Sequence, residues 1–210
     1  MSNIKLTYFD FDGGRGEAAR ITLAGRKIAF EDDRISFQQL GELKAKKTLP
    51  FGAVPVIEID GTIIAQSNAI NRYVGKLADL YPKDSLAALY CDEAMDTVED
   101  AISKFVLTFG IEDQEELKAK REALIAGPFT TVLTGLERQL SSRGGKFFDG
   151  SSFSVADIVV FVWLKGLRKG HIDYVPTDIV KTIAPKLDAY YGQMKNQEVI
   201  ASYYSSRGGL

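Results

Sequence analysis

The 210-residue chain has one cysteine and one histidine. A disulfide framework needs cysteines in pairs, and a zinc or iron centre built from Cys and His needs three or four such ligands, so neither can be assembled. A Ser-His-Asp or Cys-His catalytic site would rest on His171 alone, in Gly166-Leu-Arg-Lys-Gly-His-Ile-Asp-Tyr174, and no nucleophile signature such as Gly-x-Ser-x-Gly accompanies it. Long apolar runs are also missing. The longest, Ile158 to Leu164, is far below the roughly 18 residues that span a bilayer. Charge of one sign is scarce too: 26 Lys and Arg face 28 Asp and Glu, a net charge of −2, which leaves no electrostatic footprint for nucleic acid. The N-terminus lacks the charged start and apolar stretch of a signal peptide. These absences point to a cytoplasmic protein with no membrane or nucleic-acid partner, in which Cys91 is a small packed residue. What is present is a 45% share of hydrophobic residues, enough for a real core.

The first 80 residues change hydrophobic period repeatedly, whereas the rest hardly do. Ile4 to Phe9 reads as a strand. Gly14 and Gly16 lead into a helix closed by Gly25, Ile28 to Ile35 reads as a second strand, and Leu40 to Lys47 as a short charged helix. Val54 to Ala65 is a hairpin turning at Asp60-Gly61, and a helix from Ser67 to Ala78 follows. The order is βαβαββα. Beyond it the spacing predicts only helices: Leu86 to Phe109, Glu115 to Leu140 with a disturbance at Gly127-Pro128, then segments near 154–168, 177–194 and 197–204. Ser154 and Asp157 form a helix-capping signal. The expected division is an α/β domain at 1–80, a linker at 81–85 and an all-α domain at 86–210.

Gly14-Arg-Gly16-Glu-Ala-Ala19 matches the dinucleotide-binding pattern G-x-G-x-x-A. It begins four residues past Asp10 rather than in the turn of the strand itself, and Glu31, Asp32 and Asp33 come earlier than the usual acidic residue. No further βα units follow. A glycine-containing turn that opens a helix is the better reading.

Leu6-Thr-Tyr8-Phe9, Arg15-Gly-Glu17-Ala-Ala-Arg20, Phe30-Glu-Asp-Asp-Arg-Ile35, Thr48-Leu-Pro-Phe-Gly-Ala-Val54-Pro55 and Gln66-Ser67-Asn-Ala-Ile-Asn-Arg-Tyr73, in that order, resemble the cytosolic glutathione transferases of the sigma-like, tyrosine-type class. The resemblance covers essentially the whole chain. It implies a thioredoxin-like N-terminal domain followed by an all-α C-terminal domain, a homodimer, and an enzyme that stabilises the thiolate of glutathione and conjugates it to small hydrophobic electrophiles. A glutathione-dependent isomerase of the prostaglandin-synthase type, or a non-catalytic crystallin or ligand-carrier relative, would share the fold.

Residue by residue, the resemblance implies Tyr8 as the catalytic donor to sulfur and Arg15 as a positive group beside it. It implies a cis Val54–Pro55 bond, with Val54 pairing the ligand backbone and Ala53 alongside. Gln66 and Ser67 would hold the γ-glutamyl carboxylate, Lys44 would lie near the glycine carboxylate, and Asp100 would reach across a dimer interface. Tyr8, Arg15 and Ser67 each have a plainer alternative: a half-buried strand tyrosine, an exposed first-turn arginine and a helix-capping serine. Phe9, Phe11, Phe105 and Phe109 are candidates for the second substrate's pocket, although aromatic residues at helical spacing are more often core. Asp96, Glu99 and Asp100 share one helix face. Glu99 stands where the class has an aspartate, so no metal site is expected. Leu40 replaces a common tryptophan, Ala53 a lysine or glutamine, and Asp10 to Gly14 is one residue longer, which affects the glycyl end and the pocket mouth.

Overall fold

The computed structural model describes residues 3–209. It divides into two compact units: residues up to Tyr81 together with those from Asn196 onward, and Pro82–Lys195. In the first unit, strands β1 (Ile4–Phe9), β2 (Glu31–Ile35), β3 (Val56–Ile59) and β4 (Thr62–Ala65) form one sheet in the order β2-β1-β3-β4. β1 and β2 are parallel and need a crossover, which α1 (Gly14–Gly25) supplies. β3 runs antiparallel to both β1 and β4, and the β3–β4 turn uses the positive φ of Asp60 (50°) and Gly61 (85°). Two more helices follow their strands, α2 (Phe37–Ala45) and α3 (Ser67–Leu77).

Ala19 and Leu23 of α1 and Ile70 and Val74 of α3 lie one turn apart on their helices, so each helix turns one apolar stripe onto Ile4, Leu6 and Ile57 of the sheet. The second strand is shorter than expected. After α1 the chain turns through Lys27 at φ 56°, and the Ile28 N–H donates to the Leu23 carbonyl at 2.9 Å, so Ile28 and Phe30 pack on the core from a loop. The helix expected from Leu40 instead starts at Phe37. Ser36 accepts the Gln39 N–H while the Gln39 side chain accepts the Ser36 N–H, a reciprocal cap.

The second unit consists of α4 (Ser85–Val106), α5 (Gln114–Leu124), a π-helical segment (Ile125–Phe129), α6 (Thr130–Ser142), α7 (Val155–Arg168), α8 (Ile179–Ile183) and α9 (Pro185–Met194). Pro128 has no N–H to donate, so the helix expected across 115–140 changes its hydrogen-bond register there rather than continuing. Pro185 likewise starts a new helix within the segment expected at 177–194. The apolar run in α7 is buried from Val155 through Leu164. Its cap is the one expected. Fully buried Asp157 accepts hydrogen bonds from the Ser154 N–H (2.8 Å), the Ser154 hydroxyl (2.9 Å), the Phe148 N–H (3.0 Å) and the Tyr190 hydroxyl (2.6 Å). Cys91 is fully buried and burial pushes its thiol up to about 12, so it is not a reactive group.

The last helix, α10 (Glu198–Ser205), belongs to the first unit and packs along α1. Gly25 permits the contact, since a Cβ there would lie 2.4 Å from the Val199 carbonyl oxygen.

Replacing Asp157 by alanine leaves four buried donors without their acceptor. Its expected cost is about 3 kcal/mol or more in urea unfolding, and a loss below about 1 kcal/mol would show that this cap does not hold the helical unit.

Candidate active site

Strand register brings one set of residues to a single sheet edge. Thr7 pairs with Val56 and Val56 with Ala65, so the C-terminal ends of β1 and β4 and the N-terminal end of β3 lie side by side. Tyr8, Val54-Pro55 and Gln66-Ser67 occupy or directly adjoin those ends. The Val54–Pro55 bond is cis. α3 starts at this edge because it directly follows β4, and α1 starts after the short segment that leaves β1. Neither helix is capped by the side chain of its N-cap residue, Gly13 or Gln66, whereas α2 in the same unit is capped by Ser36. An uncapped helix start presents N–H groups and the positive end of the helix dipole, which suits an anionic group. Gln66, the residue before α3, has φ 79° and ψ 110°, a conformation that costs a non-glycine residue about 1–3 kcal/mol and that gathers at ligand sites.

Tyr8 is 5% exposed. Its hydroxyl accepts the Arg15 N–H at 3.0 Å, and among the described residues the hydroxyl proton has no acceptor. Burial pushes the phenol above the ordinary tyrosine range, against the pull of the Arg15 N–H and the charges of Arg15 and Arg20. The group is therefore a neutral donor at physiological pH. Its ring meets Phe9 and Phe11 edge-on at 5.3 and 5.7 Å between centroids.

This packing accounts for the Gly14-Arg-Gly16 pattern. A Cβ on Gly16 would lie 2.4 Å from the Tyr8 ring, and one on Gly14, at φ 65°, would lie 2.5 Å from the Tyr8 hydroxyl. The two glycines let the helix start close over the tyrosine.

Arg20 closes the Arg15–Arg20 motif, and no local pattern in the sequence assigns it a role. Arg20 is fully buried, yet its Nε donates to Asp32 at 2.7 Å and its terminal nitrogens reach the carbonyls of Phe9 (3.1 Å), Phe11 (3.3 Å) and Tyr8 (3.4 Å). The signal in the sequence is a pair of charges one turn apart, Glu17 and Arg20, set among the apolar Ala18, Ala19, Ile21 and Leu23.

Arg15 is half-buried in the first turn of α1, Lys44 is exposed in the last turn of α2, Ala53 and Gln66 are exposed, and Val54 and Ser67 are half-buried. In the second unit, Asp96 and Asp100 are exposed on α4, and Glu99 accepts the Ser103 hydroxyl at 2.8 Å. Phe105 and Phe109 meet edge-on at 4.9 Å, and the Arg121 guanidinium lies 4.4 and 5.7 Å from their rings. Phe105 also approaches Phe129, giving it a core role, whereas Phe109 is exposed. His171 is exposed, with its pKa lowered by partial burial and by Lys169 and Lys165. Among the described residues no group of three His, Cys, Asp or Glu side chains could hold a metal ion, and no helix is long and apolar enough to cross a membrane.

Residues 4–76 match the N-terminal domain of glutathione S-transferases, and residues 99–207 match the C-terminal domain. Hematopoietic prostaglandin D synthase of Mus musculus is 35% identical over 182 residues, 84% of this chain and 86% of that protein. Glutathione S-transferase 1 of Ascaris suum is 33% identical over 164 residues, 76% of this chain and 78% of that protein. Among solved structures, prostaglandin synthase D of Nilaparvata lugens matches with a TM-score of 0.84 at 30% identity, covering 98% of both chains.

The glycine contacts are open to a paired test. Gly16→Ala is expected to destabilise the protein by about 1–3 kcal/mol through overpacking against Tyr8. Gly41→Ala, in α2 with open space around it, is expected to stabilise by about 0.5–1 kcal/mol. Thermal unfolding of both variants decides, and equal effects would contradict the close approach.

Proposed function

The chain belongs to the glutathione S-transferase family, and we propose that it binds glutathione at the sheet edge of the first unit and conjugates the thiolate to small hydrophobic electrophiles. The observation that carries this reading is the Tyr8 hydroxyl: buried, neutral, and held by the Arg15 N–H with its own proton still to donate.

A cysteine-type thiol has a pKa near 8.5, so only about 3% is thiolate at pH 7. Lowering that pKa by about two units needs roughly 2.7 kcal/mol of preference for the charged form. One hydrogen bond to a charged group contributes about 1.5–3 kcal/mol, so a neutral phenol directed at sulfur supplies much of it. The thiol proton leaves to solvent. The sulfur lone pair then forms a bond to the electrophilic carbon, and in a substitution the leaving group departs with its bonding pair. No histidine or cysteine of the protein takes part.

The rest of the proposed ligand grip is taken from the family resemblance, and the charges of the groups support it. Gln66 and Ser67, at the uncapped start of α3, take the γ-glutamyl carboxylate. The Val54 backbone, beside Ala53, pairs with the cysteinyl backbone, Lys44 takes the glycine carboxylate, and Arg15 keeps the field at sulfur positive. Phe9 and Phe11 provide apolar surface next to Tyr8 for the electrophile, with Phe105 and Phe109 as further candidates. We also propose a cytoplasmic homodimer. Leu86 and Leu89 are 54% and 61% exposed on α4, and the same three-and-four spacing continues through Asp96 to Asp100, so a partner covering the leucines would bring Asp100 to the interface. A monomer in sedimentation at assay concentration would remove that role for Asp100.

A second reading is a glutathione-dependent isomerase, supported by the prostaglandin synthases among the relatives. It needs the same thiolate.

Tyr8→Phe is expected to lower kcat/KM for conjugation of 1-chloro-2,4-dinitrobenzene by about 10- to 150-fold, equivalent to about 1.5–3 kcal/mol. An unchanged rate would remove Tyr8 from the mechanism. Failure of the native protein to bind immobilised glutathione would overturn the whole reading.

A further inference from the structure

We propose that Arg20 is a positioning residue for Tyr8, acting through the backbone that carries the tyrosine; the inference rests on the glutathione-transfer reading. β1 leaves the sheet after Phe9, and among the described residues the segment up to α1 has no backbone bond to a strand beyond the Asp10 N–H, which donates to the Ile35 carbonyl at 3.1 Å. Arg20 fills that gap. Its guanidinium touches the carbonyls of Tyr8, Phe9 and Phe11, while its Nε is tied to Asp32 on the neighbouring strand. Tyr8 is thus held at both ends: its carbonyl by Arg20 and its hydroxyl by the Arg15 N–H, one helical segment earlier on the same α1.

Only a planar fork with donors in several fixed directions can hold three carbonyls and a carboxylate at once. A lysine ammonium is a point charge and cannot reproduce the pattern. The buried charge is balanced on two sides. Asp32 accepts Arg20 through one oxygen and the Arg34 Nε through the other at 2.8 Å. The Glu17 carboxylate, also fully buried, lies 3.8 Å from Arg20 and accepts the Tyr204 hydroxyl at 3.2 Å. Arg34 in turn reaches Asp10 at 3.4 Å and Asp12 at 3.5 Å, the acidic residues of the same connecting segment, and Arg207 reaches Asp12 at 3.2 Å. The whole connection between β1 and α1 is held by arginines. Misplacing a reacting group by about 1 Å can cost on the order of 100-fold in rate, so the register of Tyr8 is a functional quantity.

The test uses the full chain with Arg20→Lys and Asp32→Asn, each checked for folding by circular dichroism, in native and Tyr8→Phe backgrounds. For Arg20→Lys, kcat/KM for glutathione conjugation is expected to fall about tenfold or more. The apparent pKa of its pH profile should rise, and no further loss should appear when Tyr8 is already phenylalanine. Asp32→Asn, which keeps the carbonyl contacts, should shift the profile in the same direction by less, and it decides the matter if Arg20→Lys does not fold. An equal loss in both backgrounds, or an unmoved pH profile, overturns the proposal. Ultraviolet titration of the Tyr8 phenol, read as the difference between native and Tyr8→Phe protein, gives a readout independent of turnover. Arg20→Lys and Asp32→Asn should each move that titration away from its native position, and an unmoved titration also overturns the proposal. Inactive native protein, or Tyr8→Phe at the native rate, would instead sink the transferase reading and leave the phenol titration to judge Arg20.

Discussion

A guanidinium with no solvent exposure must find its counter-charges and acceptors inside the protein, and the first unit is arranged around that requirement at Arg20. Glu17 on the same helix and Asp32 on the second strand provide the charge, and the end of the first strand provides the carbonyls. This also explains how Glu31-Asp-Asp-Arg34, a poor strand by propensity, comes to form β2. Asp32 is drawn in by Arg20 and Arg34, Asp33 accepts the Thr7 hydroxyl at 2.8 Å, and Lys5 on β1 lies 3.2 Å from Glu31, its register partner on β2. Tertiary charge pairing outweighs local preference there.

The scarcity of histidine and cysteine becomes intelligible on the proposed chemistry. If the nucleophilic sulfur arrives with the substrate, the protein needs no reactive thiol or imidazole base of its own; its work is to hold charge and to place one neutral donor. The parts match that division. The start of α3, which Gln66 does not cap, suits an anionic ligand, and a phenol kept protonated by burial suits a thiolate. The two glycines packed against that tyrosine are required sterically, which is why a dinucleotide pattern appears in a chain whose topology does not support one.

Features set by neighbouring residues were legible in the sequence. The Asp60-Gly61 turn, the Ser154–Asp157 cap and the order βαβαββα followed from local spacing and turn chemistry. Tyr8 and Gln66-Ser67 were reached through motifs, and the hairpin register then brought them to one edge. What stayed hidden depends on residues distant in sequence. The start of β2 is set by the turn through Lys27, and the role of Arg20 depends on Asp32 and on carbonyls that no side-chain pattern displays. The grouping of α10 with the first unit depends on Gly25 admitting Val199 and on Tyr204 meeting Glu17. The π-helical passage at Pro128 was visible only as a disturbance, because a proline shows that a hydrogen bond is lost and not how the helix closes around the loss.

On the proposed chemistry, the Tyr8 site lowers the pKa of a bound thiol. The most direct measurement is the ultraviolet thiolate absorbance of glutathione bound to the native protein, followed as a function of pH. The expected apparent pKa lies about two units below that of a free thiol, and the shift is largely lost in Tyr8→Phe. A bound thiol that titrates like glutathione in solution would contradict it.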